Sequence, residues 1–146
     1  MPTRHSIIPA AGLILMQDGK VLLLRRFNTG YEDGRYSLPA GHVDAGETFT
    51  GAMIREAKEE IGVEVAEQDV RVAHCMHRNG GKDNEWMDIF FIAEKWSGEI
   101  VNKEPEKCDD LSWFPLTDLP ENTIPCVRQA IECSVNGMTY SEYGFE

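Results

Sequence analysis

Hydrophobic residues along the chain fall into short alternating blocks broken by polar turns. Residues 6–16 (SIIPAAGLILM) and 20–27 (KVLLLRRF) are two such blocks, separated by Asp18-Gly19. An Asp-Gly pair between apolar runs is a strong hairpin signal, so these blocks are predicted to be paired strands. Residues 28–35 form a polar, glycine-containing loop, and Tyr36-Ser37-Leu38 is a short extended piece before Pro39. From Phe49 to Ile61 the period becomes helical, with Glu47 or Thr48 as the start and Gly62 as the stop. Residues 63–76 alternate loosely and predict a strand. So does 85–96, with Gly98 as breaker. Leu111 to Phe114 predicts a short strand ended by Pro115. Thr123 to Val135 predicts a second helix with Ile124, Val127, Ile131 and Val135 on one side. This mixture of strands and helices implies a layered α/β or α+β domain.

With 146 residues and no repeat, low-complexity tract or long linker, the chain is read as a single domain spanning 1–146. A 42% hydrophobic content is enough for a real core. No apolar run reaches the length of a membrane span. Met1 to Ser6 lacks the basic and apolar regions of a signal peptide, so the expected location is cytoplasmic and no membrane partner is expected. Cys75, Cys108, Cys126 and Cys133 contain no C-x-x-C pair and are expected to be reduced, mostly buried thiols. The formal net charge of −11 argues against a broad basic surface for a nucleic-acid polymer. A small phosphate ligand remains compatible with it, provided that a divalent cation stands between the two sets of negative charge.

The helix at 49–61 carries the chemistry. At about 100° per residue, with Glu56 at zero, Glu60 falls near +40° and Glu59 near −60°. Three carboxylates thus share one arc that borders the apolar face. An acidic run on a helix is most often a solvated face. Yet Glu56 and Glu60 at i,i+4 oppose the helix by about 0.2–0.5 kcal/mol, and only Arg55 and Lys58 are near enough to offset them. Clustered oxygen ligands on a rigid element also suit Mg²⁺. The wheel alone leaves both readings open.

The wider segment 41–63 reads GHVDAGETFTGAMIREAKEEIGV. It resembles the Nudix box: Gly41, five residues, Glu47, seven residues, Arg55-Glu56, Ala57, Lys58, Glu59-Glu60, Ile61, Gly62 and Val63. Every fixed position matches, with Ala57 small where a bulkier aliphatic is usual. Leu38-Pro39-Ala40-Gly41 looks like the family's entry to the box, and Glu104 to Cys108 with Leu111 to Phe114 is similar to MutT-like nucleotide hydrolases. The resemblance implies an αβα sandwich around a central mixed sheet, with the box as loop–helix–loop. It implies Mg²⁺, with Mn²⁺ as substitute, held by Glu56, Glu59, Glu60 and the backbone carbonyl near Gly41. Arg55 would orient a neighbouring carboxylate, with Glu47 holding loop to helix. Gly41, Gly46 and Gly62 are expected to be positions where a side chain would obstruct a turn.

The general base is expected to be Glu56 first, then Glu104 or Glu106, of which Glu106 joins the catalytic set. Arg25 and Arg26, at a strand end, are candidate phosphate contacts. Phe27, Tyr31, Trp86, Phe90 and Trp113 are more often core residues than base platforms; Tyr31 and Trp86 are carried forward as substrate contacts. Asn84, Asp88 and Asn122 are candidate readers of a base edge. The histidines show no zinc spacing, and His42 lies inside the box loop. The implied reaction is MutT-type hydrolysis of a nucleoside triphosphate, whether normal, oxidised or otherwise modified, to monophosphate and pyrophosphate. Alternatives are hydrolysis of nucleoside diphosphates, nucleotide sugars or dinucleoside polyphosphates, and a nucleotide-sensing module without turnover. The expected partner is a nucleotide-linked small molecule bound by a monomer or homodimer.

Overall fold

A computed structural model of the chain describes residues 3–146; Met1 and Pro2, which begin the N-terminal segment read above, lie outside the described residues. Strands β1 (Ile8–Gln17) and β2 (Lys20–Arg26) form the expected hairpin. Asp18 and Gly19 both take positive φ, 52° and 75°, the geometry that matches the right-handed twist of the flanking strands. Next come β3 (Tyr36–Ser37), β4 (Ala40–His42) and helix α1 (Phe49–Ile61). Then β5 (Val70–Asn79), β6 (Glu85–Ala93), β7 (Cys108–Pro115), α2 (Pro125–Val135) and β8 (Tyr140–Tyr143) complete the order.

The strands form one mixed sheet in the order β3-β2-β1-β6-β5-β8, with β4 paired to β1 and β7 to β2. β1 runs parallel to β6, and β5 parallel to β8; the other pairings are antiparallel. Side chains alternate across the sheet. Leu13, Leu15, Leu22 and Phe91 pack with Met53, Ala57 and Ile61 of α1. Ile14, Val21, Leu23, Phe90 and Ile92 pack with Val127, Ala130 and Ile131 of α2. Both faces are therefore covered, each fully buried Leu or Ile contributing roughly 1.5–3 kcal/mol. Among the described residues, no helix is long and apolar enough to cross a membrane. All four cysteines are free thiols, Cys108 and Cys133 buried, Cys75 and Cys126 half-buried.

β1 and β2 pair only next to their turn, through Met16–Val21 and Gln17–Lys20. Beyond it they part. The freed edge of β1 takes up β4 instead, Ala10–Gly12 opposite Ala40–His42. This brings the chain entering the helix against the middle of the sheet.

α1 has the predicted bounds. Thr48 caps it, its side chain accepting from Gly51 N at 2.9 Å, and Gly62 ends it at φ 75°. Other expectations need correction. The strand predicted for 63–76 begins only at Val70, after a 3₁₀ turn at Glu67–Asp69. Val63 and Val65 are buried around exposed Glu64, which imitates strand alternation, but they pack into the α1-side core. β7 starts earlier than expected, at Cys108, and includes Pro115. Val135, the last residue of α2, is 42% exposed and does not join Ile124, Val127 and Ile131 in the core, although Cys133 and Ser134 beside it are buried. β8 was not expected. It is pinned by His74, wholly buried, whose Nδ1 and Nε2 lie 2.7 Å from Met138 O and Ser141 Oγ.

The loop before α1 is latched to the helix. Arg55 Nε donates to Glu47 Oε2 at 2.7 Å and Nη2 to Glu47 Oε1 at 2.9 Å, while Asp44 N also donates to Glu47 Oε1. Hydrogen bonds from Arg55 and from Asp44 N hold the Glu47 carboxyl down at about 2. An unfolded glutamate titrates at ~4.3, so the latch stabilises the fold fully above that range and is lost as pH falls through it toward about 2. The melting-temperature gap between wild type and Glu47→Gln should therefore be constant above about pH 5 and close progressively in acid. Thermal melts of both proteins across pH check this; a gap that persists unchanged in strong acid would refute the latch.

Candidate functional site

Two connected cavities lie where β1 and β2 part. The first, about 520 Å³, is lined by Glu56, Glu59, Glu60 and Glu104, with Arg26 and Lys107 on its other wall. The three box glutamates therefore face one space, as the helical arc requires.

β4 is held by α1 at each of its three residues. Ala40 N donates to Glu60 Oε2 at 3.0 Å, and Arg55 Nη2 donates to His42 O at 3.1 Å. At Gly41 between them, a Cβ would collide with the Glu56 carboxylate. Gly41 is thus required for close approach, in a strand and without positive φ, which corrects the turn-shape expectation. Gly46 and Gly62 do take positive φ, 85° and 75°.

Arg55 organises the carboxylates. Besides Glu47, its Nη1 donates to Glu56 Oε1 at 2.9 Å and Glu59 Oε2 at 3.3 Å. Burial pushes the Glu56 carboxyl up, opposed by Arg55 and reinforced by Glu59 and Glu104. Burial also pushes Glu60 well up, reinforced by Glu56 and Glu104 and opposed by the Ala40 N–H. Like charges forced together out of water favour a cation among them. Among the described residues, no three acidic, histidine or cysteine side chains already form a closed metal cage. That is compatible with Mg²⁺, which usually takes one or two carboxylates and completes its shell with waters and substrate phosphates. An oxygen donor set beside a backbone a side chain would block fits such an ion.

Glu104 reaches this cavity because the segment after β6 docks on the end of α1. Val101 N donates to Ile61 O and Lys103 N to Glu60 O. Asn102 clamps the turn, donating to Cys108 O at 2.6 Å and accepting from Glu104 N at 3.0 Å. Glu106 is exposed and lies outside the cavity lining.

The second cavity, about 430 Å³ and mostly apolar, shares Arg26 and Ala40 with the first. Trp86, Tyr31 and Phe90 line it. Trp86 Nε1 donates to Asn84 Oδ1 at 2.6 Å, and the ring lies 5.1 Å from that of His42. Arg78 stacks over Trp86 at 4.6 Å and donates twice to Asp88, at 2.7 and 3.1 Å. Sequence reasoning missed Arg78; only its pairing with Asp88 on the neighbouring strand marks it. Arg26 donates to Tyr31 O at 2.7 Å and Thr29 Oγ1 at 3.1 Å, holding the 28–35 loop over the cleft.

The structure does not bring Arg25 to either cavity. Adjacent residues on a strand point to opposite faces, and Arg25 instead donates to Asp109 at 2.7 Å, 5.7 Å from the Tyr36 ring centroid. Phe27 lines neither cavity, Trp113 packs in the α1-side core, and Asn122 donates to Gly34 O.

The family model described as the NUDIX domain matches residues 7–132. An NAD-capped RNA hydrolase NudC of Pseudomonas aeruginosa is 38% identical over 108 residues, 74% of this chain and 36% of that protein. The chain thus spans little more than a third of that relative's length. An uncharacterized Nudix hydrolase, YvcI of Bacillus subtilis, is 28% identical over 73% of this chain and 65% of its own. The crystal structure of a MutT NUDIX hydrolase from Burkholderia pseudomallei superposes with a TM-score of 0.79 at 29% identity, covering 88% of this chain and 98% of that one. The mixed sheet between two helices is the fold of the Burkholderia protein, and Nudix hydrolases as a family generally use divalent metal ions. With a family match over most of its length and the box glutamates gathered in one cavity, the chain belongs to the Nudix hydrolase family.

Proposed function

We propose that this enzyme hydrolyses a phosphoanhydride bond in a nucleotide whose phosphate chain lies in the glutamate cavity and whose nucleoside lies in the aromatic one. The observation that carries this reading is the junction of the two cavities at Arg26 and Ala40. A nucleoside triphosphate, cleaved to monophosphate and pyrophosphate, is the simplest substrate of that shape. The similarity to a MutT NUDIX hydrolase supports it.

Glu56, Glu59 and Glu60, with the Gly41 carbonyl, would hold Mg²⁺, or Mn²⁺ in its place. Bound there, the ion would neutralise phosphoryl oxygens and lower the pKa of a water. Arg55 keeps Glu56 and Glu59 aimed into the cavity. Arg26 and Lys107, on the opposite wall, bind the phosphate chain. A carboxylate in hydrogen-bond reach takes the proton of the attacking water. Glu104 is better placed for this than Glu106, while Glu56 is engaged by Arg55. Trp86 stacks on the base, and Arg78, fixed by Asp88, offers its remaining N–H groups to an acceptor on the base edge.

A second reading draws on the relatives named NAD-capped RNA hydrolase. It sets aside the expectation that no nucleic-acid polymer binds. A polymer entering only by its 5′ end needs no broad basic face.

Turnover should be assayed with Mg²⁺ on a panel of normal and oxidised nucleoside triphosphates, diphosphates, nucleotide sugars, dinucleoside polyphosphates and NAD-capped RNA. Anion-exchange chromatography reads the products. No turnover of any of them would defeat the reading. Glu59→Gln and Glu60→Gln should each lower kcat by orders of magnitude with the fold kept. Glu104→Gln should lose about 10²-fold or more and Glu106→Gln little. Equal effects of the last two would remove Glu104 from the mechanism. Trp86→Ala should raise KM roughly ten-fold at nearly constant kcat, as loss of ~1–3 kcal/mol of stacking implies. Steady-state kinetics of that variant check the nucleoside cavity, and an unchanged KM would vacate it.

A further inference from the structure

Arg25, Arg35, Arg55 and Arg78 each lie against a carboxylate, of Asp109, Glu32, Glu47 and Asp88 respectively. Arg26 is held differently, by neutral groups alone. Its Nε donates to Tyr31 O at 2.7 Å, its Nη2 donates to Thr29 Oγ1 at 3.1 Å, and the guanidinium lies 5.2 Å from the Tyr31 ring centroid. Among the described residues no carboxylate touches it, so its charge is left for a ligand. The N–H groups of Nη1 and the second one of Nη2 are unused. Arg26 also lines both the glutamate and the aromatic cavity. A nucleotide lying across that junction has there the phosphate esterified to its ribose.

What fixes this clamp lies outside the cavities. Tyr31 and Thr29 belong to the loop 27–35, in which Asn28, Gly30, Glu32 and Gly34 take positive φ of 57°, 85°, 50° and 84°. Left-handed backbone is uncommon for a residue such as Glu32, so the loop needs an external restraint. Asp33 supplies it, accepting from Thr29 Oγ1 at 2.6 Å, Thr29 N at 3.0 Å and Gly30 N at 2.9 Å. Asp33 itself is exposed and lines neither cavity.

The bond from the Thr29 hydroxyl reaches furthest. A hydroxyl has one hydrogen and two lone pairs. The charged Asp33 oxygen competes for that hydrogen with Tyr31 O, which is neutral and longer at 3.0 Å. With the hydrogen on Asp33, the lone pairs accept from Arg26 Nη2 and Tyr31 N. Asp33 thus orients Thr29 toward Arg26 while standing one hydroxyl away from the guanidinium, which it leaves unpaired.

We infer that Asp33 is a positioning residue that, acting through Thr29, presets Arg26 for the phosphate joined to the nucleoside. The inference rests on the nucleotide lying across the two cavities, as proposed above.

Titration calorimetry with Mg²⁺ and nucleoside 5′-monophosphates of the four common bases tests it. These ligands contain no phosphoanhydride, so binding is read without turnover. Arg26→Gln should weaken the tightest of them by about ten-fold or more, as loss of a charge-assisted contact implies. Asp33→Asn sets an amide N–H where the carboxylate accepts, and should cost roughly three- to ten-fold. In the Arg26→Gln background Asp33→Asn should change nothing further, since its effect runs through that guanidinium. Thr29→Val should match Asp33→Asn, and Thr29→Ser, which keeps the hydroxyl, should restore most of the affinity. Losses that add in the double variant, or a harmless Thr29→Val, overturn the inference in favour of a purely structural role for Asp33. If Trp86→Ala weakens the monophosphate while Arg26→Gln and Asp33→Asn do not, the proposed function stands and the inference falls. Failure of every monophosphate to bind overturns both.

Discussion

The guanidinium of Arg55 touches Glu47, Glu56, Glu59 and the carbonyl of His42. Each contact serves a different part of the architecture. Glu47 closes the loop onto the helix, His42 O fastens β4, and Glu56 and Glu59 are aimed into the glutamate cavity. Without that cation, Glu56, Glu59 and Glu60 would repel one another within one helical turn and a half, with burial adding to the penalty. A lysine offers a point charge and no planar fork, so it could not hold Glu47 with two parallel bonds while reaching three other oxygens. The rest of the site is built outward from this residue.

The second constraint is the parting of β1 and β2. Their pairing ends after two residue pairs, and β4 fills the gap. Had the hairpin continued, Gly41 could not lie against Glu56, and the space shared by Arg26 and Ala40 would be closed. The cleft therefore exists because one strand changes partner along its length. The glutamates stand at one end, and Trp86 and Arg78 at the other. Negative charge dominates the chain as a whole, but Arg26 and Lys107 line the same cavity as the box glutamates. The long-range field of such a chain repels polyanions, so local contacts and a divalent ion have to supply the attraction.

Much of this was legible in the amino-acid sequence because it is local. Asp18-Gly19 fixes a hairpin, Thr48 and Gly62 bound a helix, and the spacing of Glu56, Glu59 and Glu60 places three carboxylates on one arc whatever the helix packs against. The box residues, being close in sequence, carry their geometry with them. What stayed hidden depends on contacts between distant segments. Glu104 and Glu106 look equivalent two residues apart, and only the docking of the 101–104 segment on the end of α1 separates them. Arg25 and Arg26 look equivalent too, until the sheet assigns them opposite faces. Arg78 gains meaning only from Asp88 across the strand pair, and β8 only from His74 beneath it. The sequence by itself determined the family, the helix and its acidic arc, since these rest on short-range periodicity and capping. The tertiary structure alone decided which carboxylate, arginine and aromatic share a cavity, since that depends on where strands pair and part, which no local pattern records.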